Sequence, residues 1–196
     1  MSIKQISILA ISLLIISCSS NKTEEKDHSH DDHAHHQHEQ TEGQAKPKSP
    51  RMAAMANIGD NHVHIDYSAP SVRGRQIFGG LVAYGDVWVT GAHSATSISF
   101  SKDVLLEGQL IPKGKYALFT IPGEEEWVVI INSNWDMHLA DDYDVKEDIM
   151  RITLKPEVLE SPVEQLLFGV EETEKGKGII RFRWSDRGFS LGVTLP

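Results

Sequence analysis

Residues 62–68 read HVHIDYS, and this stretch decides the fold class. Apolar side chains at Val63, Ile65 and Tyr67 alternate with polar ones, which is the period-two pattern of a β-strand with one buried face. Further short runs of this kind follow along the chain: SISFS, KYALFTI, WVVIIN, MRITLK, QLLFGVE, GIIRFRW and FSLGVTL. Seven or more short strands predict an all-β fold, and we expect a single antiparallel β-sandwich, with a jelly-roll-like topology as one option.

Gly and Pro punctuate the connections between these runs. Residues 107–115 (EGQLIPKGK) and 121–127 (IPGEEEW) predict tight turns between antiparallel neighbours. Residues 136–148 are polar and lack alternation, so they predict a short helix or a long loop. We therefore assign residues 51–196 to one β-sandwich domain.

Length and charge limit the classes of function. The chain has 196 residues and a formal net charge of -9 at pH 7, without a basic stripe. This length leaves one domain with a substantial core once a leader and a tether are subtracted. Sequence-independent binding of nucleic acid needs a Lys and Arg field that displaces counterions, so we do not expect nucleic acid as a partner.

The first 18 residues, MSIKQISILAISLLIISC, have the build of a secretory signal. Lys4 precedes an apolar run that is shorter than the ~20 residues of a membrane-spanning helix. The end of the run resembles a bacterial lipobox, in which residues 1–17 are removed and Cys18 is lipidated. We therefore expect an outer-membrane lipoprotein on the periplasmic or cell-surface face, anchored to the membrane through lipid on Cys18; an ordinary secreted protein is the alternative. Because Cys18 is the only cysteine, lipidation leaves no thiol for a disulfide, a metal or a nucleophile.

Residues 18–50 form a tether between the signal and the domain. The start, SSNKTEEKD after Cys18, resembles the acidic export signals of surface lipoproteins of Bacteroidota, and a solvated linker is the alternative. Residues 27–39, DHSHDDHAHHQHE, have almost nothing apolar to bury, so we expect no fixed fold there. Neutral imidazoles suit Zn and Cu, and six are available: His28, His30, His33, His35, His36 and His38. The alternative is a solubilising spacer that binds metal only opportunistically.

Residues 68–101 concentrate the candidate ligand-binding side chains. A guanidinium grips carboxylate or phosphate with two hydrogen bonds, and Trp or Tyr rings stack on sugars or peptides. The candidates for a site that binds a small molecule, a glycan or a protein partner are Arg73, Arg75, Tyr84, Trp88 and His93. Trp127 and Trp135 could extend such a groove. The alternative is that the aromatic rings belong to the core and that the arginines pair with acidic residues.

A second metal hypothesis concerns the strand itself. His62 and His64 are separated by one residue, so both side chains leave the same face of a strand and could bind zinc or copper. His93 or His138 could complete the set of ligands. The alternative is that His62 and His64 simply face solvent, since Val63 and Ile65 claim the core.

This chain resembles a family of exported proteins from Bacteroidota, the domain of unknown function numbered 2911. The resemblance rests on residues 67–79 (YSAPSVRGRQIFG), 84–101 (YGDVWVTGAHSATSISFS) and 106–132, and it covers roughly residues 49–170. Members of the family more often read VWRTGAN at the middle motif, where this chain has Val89 and His93. The resemblance implies no known activity. If that arginine and asparagine bind a ligand in relatives, this chain has lost part of the site or has exchanged a hydrogen-bonding site for one with an imidazole.

Catalysis has weaker support in the sequence. Ser94 beside His93, or the run 124–126 (EEE), could supply nucleophile, acid or base, but the chain contains no G-x-S-x-G, H-E-x-x-H or phosphate-binding glycine loop. We therefore expect a ligand- or partner-binding domain on a metal-binding tether. The alternative is a hydrolase or a carbohydrate-binding accessory protein with a pocket lined by Arg and Trp.

Overall fold

The computed structural model describes residues 48–196. This part of the chain contains ten β-strands and one 3₁₀ turn, Val145–Glu147. The strands are β1 Arg51–Ile58, β2 Asn61–Ser68, β3 Thr96–Phe100, β4 Val104–Leu106, β5 Gln109–Ile111, β6 Gly114–Ile121, β7 Trp127–Asn132, β8 Asp148–Leu154, β9 Glu157–Glu174 and β10 Lys177–Thr194. Every pair of these strands is antiparallel, and the predicted all-β antiparallel sandwich is confirmed.

The strands form two sheets. The six-stranded sheet has the order β1-β2-β3-β6-β7-β8, and the four-stranded sheet has the order β5-β4-β10-β9. The alternating apolar residues of β2 form its inner face: Val63, Ile65 and Tyr67 are at most 1% exposed. The Tyr67 hydroxyl accepts a hydrogen bond from the backbone N–H of Phe168 (3.3 Å), which links β2 to β9 in the other sheet.

Aromatic rings fill the space between the sheets. Trp127 on β7 lies 6.0 Å from Phe182 on β10, and Phe182 stacks on Phe189 with ring centroids 4.9 Å apart. Phe78 comes from the β2–β3 connection and packs 4.7 Å from Trp127. Buried aromatic rings contribute large apolar areas to a core. The β2–β3 connection is therefore part of the core and does not merely cross the surface.

The short hairpin of β4 and β5 was not predicted, because β5 lies inside residues 107–115, which were expected to form a turn. Two further features of the sheets were not predicted either. β1 pairs with β2 along its whole length although its sequence, RMAAMANI, is rich in Ala and Met, which favour helices by propensity. The runs GIIRFRW and FSLGVTL form one strand, β10, because irregularities at Ser185 absorb a shift of register within it. In both cases tertiary pairing overrides the local pattern.

The polar stretch 136–148 is mainly loop, with the single 3₁₀ turn at its end. The loop is held in place by hydrogen bonds to Asp148, whose side chain is only 5% exposed. The Asp148 carboxylate accepts hydrogen bonds from Tyr143 Oη (2.7 Å), Asn132 Nδ2 (2.8 Å) and Arg151 Nη1 (2.9 Å). No helix in residues 48–196 has the length and apolar character needed to span a membrane.

Candidate functional site

Residues 69–95, the connection between β2 and β3, are attached to both sheets. Val72 N donates to Glu164 O on β9 (2.8 Å), in the four-stranded sheet. Trp88 exchanges two backbone hydrogen bonds (2.8 and 3.0 Å) with Thr120 on β6, in the six-stranded sheet. Thr120 can pair with Trp88 because β3 begins at Thr96, opposite Leu118, and so does not extend to Thr120.

Four residues around this connection have left-handed backbone torsions. The φ angles are +51° at Arg73, +51° at Thr90, +66° at His93 and +52° at Leu139 in the neighbouring 133–147 loop. A positive φ is disfavoured for residues with a Cβ, and most of all for a β-branched residue such as Thr90. Strain of this kind concentrates at binding sites, where the surrounding structure maintains it.

Buried polar contacts maintain the conformation of Thr90. Its hydroxyl lies 3.1 Å from the Thr120 hydroxyl, and its carbonyl accepts a hydrogen bond from Thr96 Oγ1 (3.0 Å). All three threonines are fully buried. Trp88 Nε1 donates to Gly91 O (3.0 Å), which closes the turn around Thr90. The segment is thus held by internal contacts and does not need a ligand to order it.

A cavity of about 440 Å³ opens where residues 69–95 meet β10. This volume lies in the range of small-molecule sites. Its buried lining is apolar and includes Val82, Val89 and Trp184, while Trp88 is half-buried. Most of the exposed residues that line it are basic: Lys48, Arg73, Arg75 and His93. The cavity therefore has an apolar floor and a polar mouth.

The mouth of the cavity carries positive charge. Lys48, Arg73 and Arg75 line it, and no Asp or Glu is among the described lining residues. Arg73 donates to Lys48 O (3.1 Å), and Arg75 donates to two backbone carbonyls within its own turn (2.6 and 3.0 Å). Neither guanidinium forms an ion pair within the described chain; Glu164 accepts only the backbone N–H of Arg73 (2.9 Å). Both guanidinium groups therefore keep donors available for a ligand.

Trp184 contributes a buried donor without a partner. The residue is 1% exposed, and its indole Nε1 makes no hydrogen bond in the described part of the chain. Its ring stacks on Trp88, with 5.6 Å between centroids and 23° between planes. A buried unpaired donor costs about 1–3 kcal/mol, so such groups are rare. The nitrogen is itself buried from solvent, so in this conformation it is not exposed to the cavity.

Four of the five residues predicted to bind a ligand lie around this one cavity: Arg73, Arg75, Trp88 and His93. Tyr84 does not line it. Tyr84 lies at a separate depression of about 340 Å³, on the other side of Arg75. Trp127 is 1% exposed in the core, and Trp135 is 40% exposed under the Lys115 ammonium (3.9 Å), so neither extends the cavity.

Four lining residues outside residues 69–95 were not identified from the sequence: Lys48, Ser49, Leu139 and Trp184. Lys48 falls within the stretch assigned to the tether, and Leu139 comes from the polar 136–148 stretch. Trp184 lies on the same buried face of β10 as Phe182, so its sequence pattern indicates an ordinary core residue. No local signal distinguishes these residues, because only the tertiary fold brings them to residues 69–95.

The two departures from the motif VWRTGAN both concern the cavity. Val89 and His93 line it, Val89 as part of the buried floor and His93 at the exposed mouth. Valine in place of arginine makes the floor apolar. The charge of this site therefore comes from Arg73, Arg75 and Lys48.

The predicted metal site on β2 lies elsewhere. His62 and His64 point away from the core, with ring centroids 5.9 Å apart. Within residues 48–196 no group of three or more His, Cys, Asp or Glu residues is close enough to hold a metal ion. His93 and His138 therefore do not complete a site with them. The signal peptide, Cys18 and the six tether histidines lie outside the described residues, and those predictions remain predictions.

The side chains considered for catalysis do not form hydrogen-bonded groups in the described part of the chain. Ser94 Oγ and the His93 ring form no hydrogen bond with each other or with any other described residue, although His93 O accepts from Leu139 N. Residues 124–126 form an exposed acidic turn away from the cavity.

Comparison with known proteins identifies one family. The profile of a family described as "Protein of unknown function (DUF2911)" matches residues 49–193. No curated protein and no solved structure matches the chain. The matched range includes both sheets and nearly all of the cavity lining.

Proposed function

This chain belongs to the DUF2911 family, and we propose that its domain binds a small organic anion in the cavity beneath residues 69–95. The observation that carries the proposal is the combination of a cationic mouth and an apolar floor. Lys48, Arg73 and Arg75 supply the charge, and no acidic residue lines the described cavity.

The charge distribution favours an anionic group on the ligand. The chain as a whole is acidic, with a net charge of -9, so three cations around a cavity whose described lining contains no acidic residue stand out from their surroundings. Guanidinium donors recognise carboxylate and phosphate with charge-assisted hydrogen bonds, which are about twice as strong as neutral ones. Arg73 and Arg75 have such donors free.

The floor favours a flat, largely apolar body. Trp88 and Trp184 present stacked indoles, and Val82 and Val89 complete the apolar lining. Indole faces pack well against aromatic rings and against the C–H faces of sugars. We therefore propose a carboxylate or phosphate attached to an aromatic or sugar ring.

Binding can be tested with defined probes. Phenyl phosphate, benzoate and glucuronate, each with its neutral counterpart benzyl alcohol or glucose, would be titrated while Trp fluorescence and heat of binding are recorded. We expect at least one anion to bind, and we expect Arg73→Gln with Arg75→Gln to weaken it by more than tenfold. Arg181→Gln is the matched control, because Arg181 is an exposed arginine on β10 that pairs with Glu171 and does not line the cavity.

Several outcomes would count against the proposal. Equal affinity for benzoate and benzyl alcohol would remove the role of the cations, and the absence of any heat or fluorescence change would remove the site. Hydrolysis of phenyl phosphate, lost in the double arginine variant, would replace a binding module with the hydrolase alternative.

For the whole protein, we propose an envelope lipoprotein. Lipid on Cys18 would anchor it to the outer membrane, and residues 27–39 would bind Zn or Cu between the membrane and the domain; both proposals rest on the sequence patterns alone. Cys18→Ser is expected to abolish labelling by radioactive palmitate and to release the protein from membranes. Replacing the six tether histidines by Gln is expected to reduce the stoichiometry of bound zinc. Unchanged stoichiometry would contradict the metal role.

A further inference from the structure

The outer face of β1 and β2 brings two histidines and a methionine together. In the antiparallel register Met55 lies directly opposite His64, and Asn57 lies directly opposite His62. Side chains paired in this way have Cβ atoms about 4.5–5.5 Å apart on one face of the sheet. Met55 is 52% exposed and stands on the face away from the core, as do both histidines.

Each imidazole is oriented by one hydrogen bond. His62 Nδ1 lies 2.9 Å from Asn57 Oδ1, and His64 Nε2 lies 3.1 Å from Asp66 Oδ1. The other nitrogen of each ring, His62 Nε2 and His64 Nδ1, makes no hydrogen bond to any described residue. An oxygen on one ring nitrogen with the other nitrogen open is how metal-binding histidines are usually held.

The separation of the rings suits a single ion. Their centroids are 5.9 Å apart. With metal–nitrogen bonds of about 2.0 Å, rings whose centroids are up to roughly 6 Å apart can bind the same ion. Met55 is 52% exposed, so an ion can reach it from solvent.

We propose that Met55, His62 and His64 form a binding site for a cuprous ion. Thioether sulfur is a soft ligand that selects Cu(I), whereas Zn(II) is bound by imidazole, thiolate and carboxylate. Two imidazoles and one thioether give three donors of the types that Cu(I) prefers. The Asp66 carboxylate holds the His64 ring in one orientation through its hydrogen bond to Nε2.

The site is independent of the cavity. Met55, His62 and His64 do not line it, so the failure of one proposal leaves the other untouched. The sequence pattern H-x-H pointed to two ligands only, because the third comes from β1, whose Ala- and Met-rich sequence does not read as a strand.

The test uses the full chain with the six tether histidines replaced by Gln, so that the tether does not compete for metal. Cu(I) is titrated without oxygen against bicinchoninate, a colorimetric chelator, and Zn(II) is titrated in parallel. We expect one Cu(I) per chain, binding at least tenfold weaker in Met55→Leu, and no binding in the double variant His62→Gln/His64→Gln. Met52→Leu is the matched control, since Met52 is also an exposed methionine of β1 but lies on the opposite face, paired with Tyr67.

X-ray absorption on the Cu(I)-loaded tether variant gives a second readout that needs no substitution at the site. We expect one copper–sulfur distance, which disappears in Met55→Leu, and a Zn(II) affinity that Met55→Leu does not change. Cu(I) affinity equal in the parent and in His62→Gln/His64→Gln, or a spectrum without a sulfur ligand, would overturn the proposal.

Discussion

Trp88 and Trp184 stack across the junction between residues 69–95 and β10, with 5.6 Å between their ring centroids. Their indole nitrogens differ in one respect. Trp88 Nε1 donates to Gly91 O, whereas Trp184 Nε1 has no partner in the described chain. The Trp88 donor is therefore satisfied by the protein, whereas the Trp184 donor is buried and unsatisfied.

Trp184→Phe removes this donor and keeps an aromatic ring. Because the donor makes no hydrogen bond in the free domain, we expect the free energy of unfolding to change by less than about 1 kcal/mol, with the lost desolvation penalty offsetting some lost packing. Affinity for the anion probe should stay close to that of the parent, because Nε1 is buried and the aromatic ring is kept. Urea denaturation and calorimetric titration measure the two effects. A large loss of affinity would show that Nε1 reaches the ligand.

His93→Gly should stabilise the free domain. His93 has a φ of +66° and an exposed ring without a hydrogen bond to any described residue, so glycine relieves strain and loses little contact. We expect a gain of about 0.5–1 kcal/mol in the free energy of unfolding and weaker binding of the anion probe. The matched control is His138→Gly in the adjoining loop, where φ is not positive and a small loss of stability is expected. A loss at both positions would contradict the strain argument.

Asp148→Asn should loosen the loop at residues 133–147. The carboxylate is 5% exposed and accepts hydrogen bonds from Tyr143, Asn132 and Arg151, so the amide leaves buried donors unpaired and removes a charge next to Arg151. We expect a loss of about 2–3 kcal/mol in urea denaturation. Asp141→Asn, an exposed position in the same loop, should change stability by less than about 0.5 kcal/mol. Similar losses in both variants would rule out a special role for Asp148.

The domain should lose stability in alkaline solution. Burial, and then the hydrogen bond to Asp148, raises the pKa of Tyr143 to about 12, above the ordinary value of 10.0. The folded state therefore holds a proton that the unfolded state releases, and this contribution is complete below pH 10 and disappears as the pH rises from 10 to 12. Burial also raises the pKa of Tyr67 in the same direction. Urea denaturation between pH 8 and 11.5 should show a decline that is shallower in Tyr143→Phe; parallel curves would contradict the assignment.

The pattern of residues predicts the sandwich well wherever one face of a strand is buried. β2 is the clearest case, because Val63 and Ile65 are fully buried while His62 is exposed. β1 was missed because its stability comes from pairing with β2 and not from its own alternation. Strand pairing is a long-range property that a local window does not contain.

The candidate site was predictable to the extent that it lies in one segment. Arg73, Trp88 and His93 are close in sequence, and the chemistry of their side chains singled them out. Lys48 is separated from that segment by the β1–β2 hairpin and Trp184 by seven further strands, so only the fold shows that they complete the cavity.

The attachment of residues 69–95 to both sheets couples the cavity to the whole domain. Because Val72 is hydrogen-bonded to β9 and Trp88 to β6, the wall of the cavity cannot open without disturbing the contact between the two sheets. A bound ligand should then slow amide hydrogen exchange in both sheets together, in proportion to its occupancy. Ligand binding would thus change the rigidity of the strands far from the cavity, without a moving lid.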